Sequence, residues 1–140
     1  MGLKTKTEAT VRLTVPFYDL DAFEVVWHGN YLKYFSRARR ALFEQAGVEL
    51  YPLKEEVPYL LPIVRWSVKH THPLALGDEF DCTARLVEAD TKIVVKFEIR
   101  LVSDNTLCAR AHSEQVAIRR SDRSIEFEIP AEIRQAFGLN

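Results

Sequence analysis

An α+β fold is predicted, with an antiparallel sheet of about five strands wrapped around one long central helix. Three observations predict it. Apolar residues recur with period two in several separate segments. One segment, 30–46, instead shows spacings of three and four. Turn-forming residues leave only short connections between the later strands. Short connections force neighbouring strands to pair antiparallel, and a single helix then covers the apolar face of a single sheet.

In residues 7–15, Ala9, Val11, Leu13 and Val15 alternate with Thr10, Arg12 and Thr14. This is a strand with one buried face, ended by Pro16, which has no N–H to give a ladder. In 30–46, Tyr31, Tyr34, Phe35, Ala38, Leu42 and Ala46 form one helical face, and Lys33, Arg37, Arg40 and Glu44 form another. Asn30 is the expected N-cap and Gly47 the expected left-handed residue past the C-terminus. Residues 48–61, with Pro52 and Pro58, read as a connection with one short helical turn. Val64, Trp66 and Val68 alternate within 62–72. Phe80, Cys82, Ala84 and Leu86 alternate within 79–87. Ile93, Val95, Phe97, Ile99 and Leu101 alternate within 92–102, and 106–119 is strand-like. Pro73 with Gly77-Asp78, Asp104-Asn105 and Ser121 to Ser124 supply the turns. Pro130 is expected at the first helical position of a terminal helix, 131–137.

The 140 residues fit one domain, 1–140, with no internal repeat or low-complexity linker. Net charge is −1, without the basic excess of a general nucleic-acid binder, so no nucleic-acid partner is expected. No stretch approaches the roughly 20 apolar residues of a membrane span. The N-terminal dozen residues are polar, and Cys82 and Cys108 read as free thiols. Together these predict a cytoplasmic protein.

The chemistry-bearing stretch runs from Phe17 to Leu32 and links the first strand to the helix. It holds Asp19, Asp21, Glu24, Trp27, His28 and Gly29 just before a helix N-terminus. Helix N-termini present unpaired N–H groups and a positive dipole end, which polarise a carbonyl and hold an oxyanion. A nearby carboxylate activates water or attacks a thioester directly. Asp19 and Asp21, two apart, point the same way on an extended chain, so spacing does not separate them as the base.

The pattern Asp19-x-Asp21, Val25-Val26-Trp27-His28-x-Asn30-Tyr31-Leu32, with Tyr34-Phe35 and Arg37-Ala38-Arg39 in the helix, resembles the 4-hydroxybenzoyl-CoA thioesterase family of hotdog proteins. The Ile129 to Ile133 ending is also similar to that family. The resemblance implies a hotdog fold and an acyl-CoA thioesterase that uses no cofactor and no metal. It implies Asp21 as general base or nucleophile, and a backbone N–H at His28 facing the thioester carbonyl, with a histidine side-chain role in some subfamilies. Gly29, Asn30 and Tyr31 would complete the oxyanion and substrate-binding segment. It also implies a homodimer or homotetramer with active sites between subunits. The chain departs from the family at Glu24, usually glycine there, and at Phe23, often a small residue. Glycine serves where φ is positive, so Glu24 bears on the loop conformation and adds a carboxylate near the site.

Other residues have plainer readings. His70 and His72 share a strand face without a third metal ligand at a recognisable spacing, and His112 is similar. Arg119, Arg120 and Arg123 form a small basic cluster, either a solvated turn or a contact for CoA phosphates. Lys33, Arg37 and Arg40 read as the exposed helix face. Tyr51, Pro58 and Tyr59 are candidates for lining an acyl pocket. No Gly-x-Ser-x-Gly elbow is present, and neither cysteine has an assignable histidine partner. Two rival functions stay open: a hydratase or dehydratase acting on acyl thioesters, and a non-catalytic module binding acyl-CoA or acyl-carrier protein.

Overall fold

The structure, a computed structural model, describes residues 7–48 and 58–139. β1 (Glu8–Thr14) leads through two short 3-10 turns, Phe17–Asp19 and His28–Asn30, into helix α1 (Tyr31–Gln45). Then follow β2 (Tyr59–Leu60), β3 (Ile63–His70), β4 (Glu79–Ala89), β5 (Ile93–Leu101), β6 (Leu107–Gln115), β7 (Ile118–Arg119) and α2 (Ala131–Ala136). The main sheet is five-stranded and antiparallel in the order β1-β4-β5-β6-β3, while β2 and β7 pair separately. One helix against one such sheet is the hotdog arrangement, as expected.

The period-two residues face α1. Phe80, Cys82 and Ala84 of β4 and Ile93, Val95, Phe97 and Ile99 of β5 are all buried against Phe35, Ala38, Leu42 and Phe43 of the helix. Burying a large apolar side chain contributes roughly 1.5–3 kcal/mol. Phe35 sits at the centre, its ring 5.3 Å from Phe97 and 5.9 Å from Trp66. Arg39, on the same helix face, is also fully buried. Its guanidinium lies 4.6 Å from the Trp66 ring and 5.4 Å from Phe97, so aromatic faces take part of its charge.

The helix ends as its sequence requires. Gly47 has φ +76°, its N–H donates to Glu44 O, and the Val48 N–H donates to Phe43 O. This pair of bonds satisfies the last carbonyls of the helix, and only glycine adopts that φ without strain. The N-terminus differs from expectation. Asn30 is already helical and does not cap; its side-chain Nδ2 donates instead to Asp19 O at 2.9 Å. The loop, not the helix, claims that amide.

Two further expectations need correction. Residues 106–119 are not one strand. The Val116 N–H and the Gln115 side chain donate to the carbonyls of Pro62 and Leu61, which turns the chain off the main ladder onto β2. Pro130 lies one position before the helix rather than inside it, because its ψ of 141° is extended; its carbonyl accepts from Ile133 and Arg134. The helical turn expected near 48–61, and Tyr51, fall largely outside the described residues. Both cysteines are buried free thiols. Among the described residues no helix is long and apolar enough to cross a membrane.

Phe35→Ala should cost about 3–5 kcal/mol by emptying the helix–sheet junction. Urea unfolding should show a lower midpoint with an unchanged slope.

Candidate active site

After β1 the chain is pinned to the turn before β4, where the Val15 N–H donates to Asp78 O at 2.9 Å. It then folds into a small hairpin. Leu20 bridges Val26, the Asp21 N–H donates to Val25 O, and the Glu24 N–H donates to Asp21 O. The Asp21 side chain joins in, its Oδ1 accepting from the Phe23 N–H at 2.8 Å. Among the described residues Oδ2 of Asp21 accepts nothing. Glu24 has φ +64°, the left-handed residue that closes a three-residue hairpin loop. The loop therefore keeps the conformation glycine would favour, despite carrying glutamate. The returning arm docks on the segment before β4: Val25 bridges Ala75, and the Val26 N–H donates to Leu74 O.

Asp19 is what ties this loop to α1. It is 2% exposed, and both carboxylate oxygens are engaged, Oδ1 by Lys33 Nζ at 2.6 Å and Oδ2 by the Tyr34 hydroxyl at 2.5 Å. Its carbonyl accepts from the Trp27 N–H and from Asn30 Nδ2. Burial pushes the Asp19 carboxyl up, but the bonds from Lys33 and Tyr34 outweigh it and hold the group below its ordinary value. Burial and the carboxylate push the Tyr34 phenol well above its ordinary value. Asp19 is thus a strut with both carboxylate oxygens engaged, and the two aspartates that spacing left equivalent stand in different settings. Lys33, read from sequence as solvated, holds Asp19.

His28, Gly29 and Asn30 form the 3-10 turn that leads into α1. Among the described residues nothing accepts a hydrogen bond from the N–H of His28 or of Gly29. Gly29 is needed for space: a Cβ there would run into the Trp27 ring. The exposed His28 ring lies 5.1 Å from that of Trp27. Tyr31 is buried rather than open to a substrate; its hydroxyl accepts from the Leu74 N–H at 3.3 Å. Its ring packs edge-on against His70 at 4.5 Å. His70, read from sequence as an ordinary strand residue, therefore stands beside the site. Burial and the nearby His28 both push its imidazole below the ordinary value. No spacing in the sequence connects positions 28 and 70; only β3 running back to the helix start does.

Tyr59 lies in β2, opposite Arg119. β3 runs from just after Tyr59 to His70, a length of about 25 Å. Within one chain Tyr59 and the arginine cluster are thus at the far end of the sheet from Asp21. Phe17, Tyr18, Phe23 and Trp27 surround the loop as exposed aromatics, at 77%, 80%, 84% and 50%. Together they leave a patch of aromatic surface uncovered around the loop.

A hotdog domain with an open carboxylate and two unpaired N–H groups before its helix defines a thioesterase-like class. The match is direct over residues 15–137, and the chain belongs to the Thioesterase-like superfamily. Three solved structures are similar throughout. A 1,4-dihydroxy-2-naphthoyl-CoA thioesterase from Synechocystis has a TM-score of 0.84 at 21% identity, covering 94% of this chain and 96% of its own. A DHNA-CoA thioesterase from Staphylococcus aureus has 0.82 at 16%, covering 94% and 89%. A 4-hydroxybenzoyl-CoA thioesterase variant in complex with 4-hydroxybenzoyl-CoA has 0.79 at 19%, covering 93% and 98%. No curated protein sequence matches the chain.

Two predictions follow from this geometry. Asp19 is held charged in the folded state, so the stability it adds is present above about pH 4 and is lost as pH falls through its lowered folded value. Asp19→Asn should cost about 1–3 kcal/mol at pH 7 and flatten the acid limb of a stability-against-pH curve. Glu24→Gly should raise stability by about 0.5 kcal/mol, because relief of left-handed strain exceeds the added chain entropy. Thermal unfolding of the variant checks this.

Proposed function

We propose that the chain is an acyl-CoA thioesterase, releasing a free acid and CoA, with Asp21 as general base or nucleophile. The observation that carries this reading is the pairing of an open Asp21 oxygen with two consecutive unpaired N–H groups, His28 and Gly29, on one loop. The thioester carbonyl accepts from those two N–H groups. Asp21 takes a proton from the attacking water, or attacks the carbonyl carbon itself, in which case the C–S bond breaks to release CoA and water then hydrolyses the mixed anhydride to the free acid and Asp21. In the water route a C–O bond forms and the carbonyl electrons pass to the oxygen held by the loop. Collapse of that intermediate breaks the C–S bond, and the departing sulfur takes the proton. One oxyanion donor of this kind is worth roughly 3–4 kcal/mol of barrier.

The similar structures support the reaction class. The substrate complex among them was obtained with a variant in which an aspartate is replaced by asparagine. His28 flanks the carbonyl site and His70 stands behind it. Glu24, exposed on the hairpin, stays outside the chemistry in this reading.

The site would be completed by a second copy of the chain in a homodimer. β3 is an edge strand of the main sheet, Ile63 and Val64 on it are exposed, and the aromatics around the loop are uncovered. Antiparallel pairing of two β3 edges would bring Tyr59 of the partner subunit towards the Asp21 loop, where it could line the acyl pocket. The free thiols fit a reducing, cytoplasmic setting.

A panel of acyl-CoAs from acetyl to palmitoyl, with 4-hydroxybenzoyl-CoA, followed by thiol release, tests the proposal. At least one member should turn over, and Asp21→Asn should lower that rate about 100-fold or more while the protein stays folded. A folded variant with near-full activity refutes Asp21 as the reacting group.

A further inference from the structure

The face of the main sheet turned away from α1 carries an unusual arrangement of charge. One row across four strands runs Ser67, His112, Lys96, Arg85; the next runs Lys69, Arg110, Glu98, Thr83. Lys96 is directly opposite Arg85, and Lys69 directly opposite Arg110. Like charges directly opposite across strands are destabilising. Two carboxylates belong to these rows, Glu98 and, where the first row continues onto β1 opposite Arg85, Glu8; Glu98 is paired with Arg100 at 3.2 Å and Glu8 with Arg85 at 3.6 Å. Among the described residues Lys69, Lys96 and Arg110 have no carboxylate at ion-pair distance. The whole chain has a net charge of −1, so the cations are segregated here rather than in general excess.

These side chains also enclose space. A cleft of about 470 Å³ lies among them, with the Ser67 and Thr83 hydroxyls and His112 in its lining. That volume is in the range of small-molecule sites. Guanidinium, ammonium and hydroxyl donors converging on one cleft suit phosphate oxygens. A second copy does not suit it, because face-to-face contact would set cations against cations.

We propose that this cleft binds a small molecule bearing a diphosphate or several phosphates. The ligand neutralises charges that the fold places together at its own expense. The phosphates could come from the nucleotide part of a CoA thioester or from a separate phosphorylated effector; the same experiment separates the two.

Calorimetric titration with pyrophosphate and with ADP tests the site. The protein should bind one or both, more weakly as salt rises. Lys96→Gln/Arg110→Gln should weaken binding about tenfold or more, and Glu98→Gln, which removes the carboxylate, should tighten it. No binding to the unmodified protein, or equal binding to the double variant, overturns the proposal. A change of mass by light scattering in Lys96→Glu also overturns it, since the face is then an interface between copies. Where binding holds, a raised KM for acyl-CoA but not for the matching acyl-pantetheine in the double variant makes the thioester's own phosphates the source. Equal KM values make it a separate effector. Pyrophosphate binding needs no hydrolysis, so it stands or falls apart from the thioesterase reading.

Discussion

The buried carboxylate of Asp19 holds the loop between β1 and α1 in place. It accepts from Lys33 and Tyr34 on the helix, while its carbonyl accepts from Trp27 and Asn30 further along the loop. Four donors from two sides converge on one residue. Both arms of the Asp21 hairpin are thereby clamped across the helix N-terminus. A charge buried this deeply is tolerated when it is paired and hydrogen-bonded, and here each carboxylate oxygen has a donor, one of them a cation. The hairpin, the two open N–H groups and the Trp27–Gly29 contact all inherit their position from this clamp.

Beneath it lies an aromatic junction. Phe35, Trp66 and Phe97 meet where α1 crosses the sheet, and Arg39 lies over two of those rings. The helix is therefore seated by shape and by charge–ring attraction together. Its N-terminus cannot slide relative to β3 without disrupting that stack, and the Tyr31–His70 contact marks the same alignment at the site. Under the proposed thioesterase reading, rigidity of this kind is what the loop N–H donors would require, because their value comes from being in place before charge develops.

Among the described residues three non-glycines, Glu24, Asn105 and Arg123, have a left-handed backbone, and the first lies at the loop tip. Glu24 holds a left-handed backbone where glycine would sit more easily, in the turn whose Phe23 N–H donates to Asp21 Oδ1. The cost is of order 1 kcal/mol, small against the surrounding hydrogen bonds.

By itself the sequence determined the long helix and the central strands, with the faces they bury. Period two in Phe80 to Leu86 and Ile93 to Leu101, and the three-and-four spacing from Tyr31 to Ala46, are local consequences of strand and helix geometry, and burial followed them closely. Gly47 was legible for the same reason, whereas the motif from Asp19 to Leu32 was legible only through its resemblance to a known family. Spacing left Asp19 and Asp21 equivalent and only the family resemblance pointed to Asp21; the tertiary structure gave Asp19 its own partners, because which carboxylate meets Lys33 and Tyr34 depends on how the loop crosses the helix. It also decided that Asn30 serves the loop rather than the helix, that His70 stands by Tyr31, and that cations from four strands share one face. These are contacts between residues distant in sequence, set by strand order and register, and no local spacing encodes them.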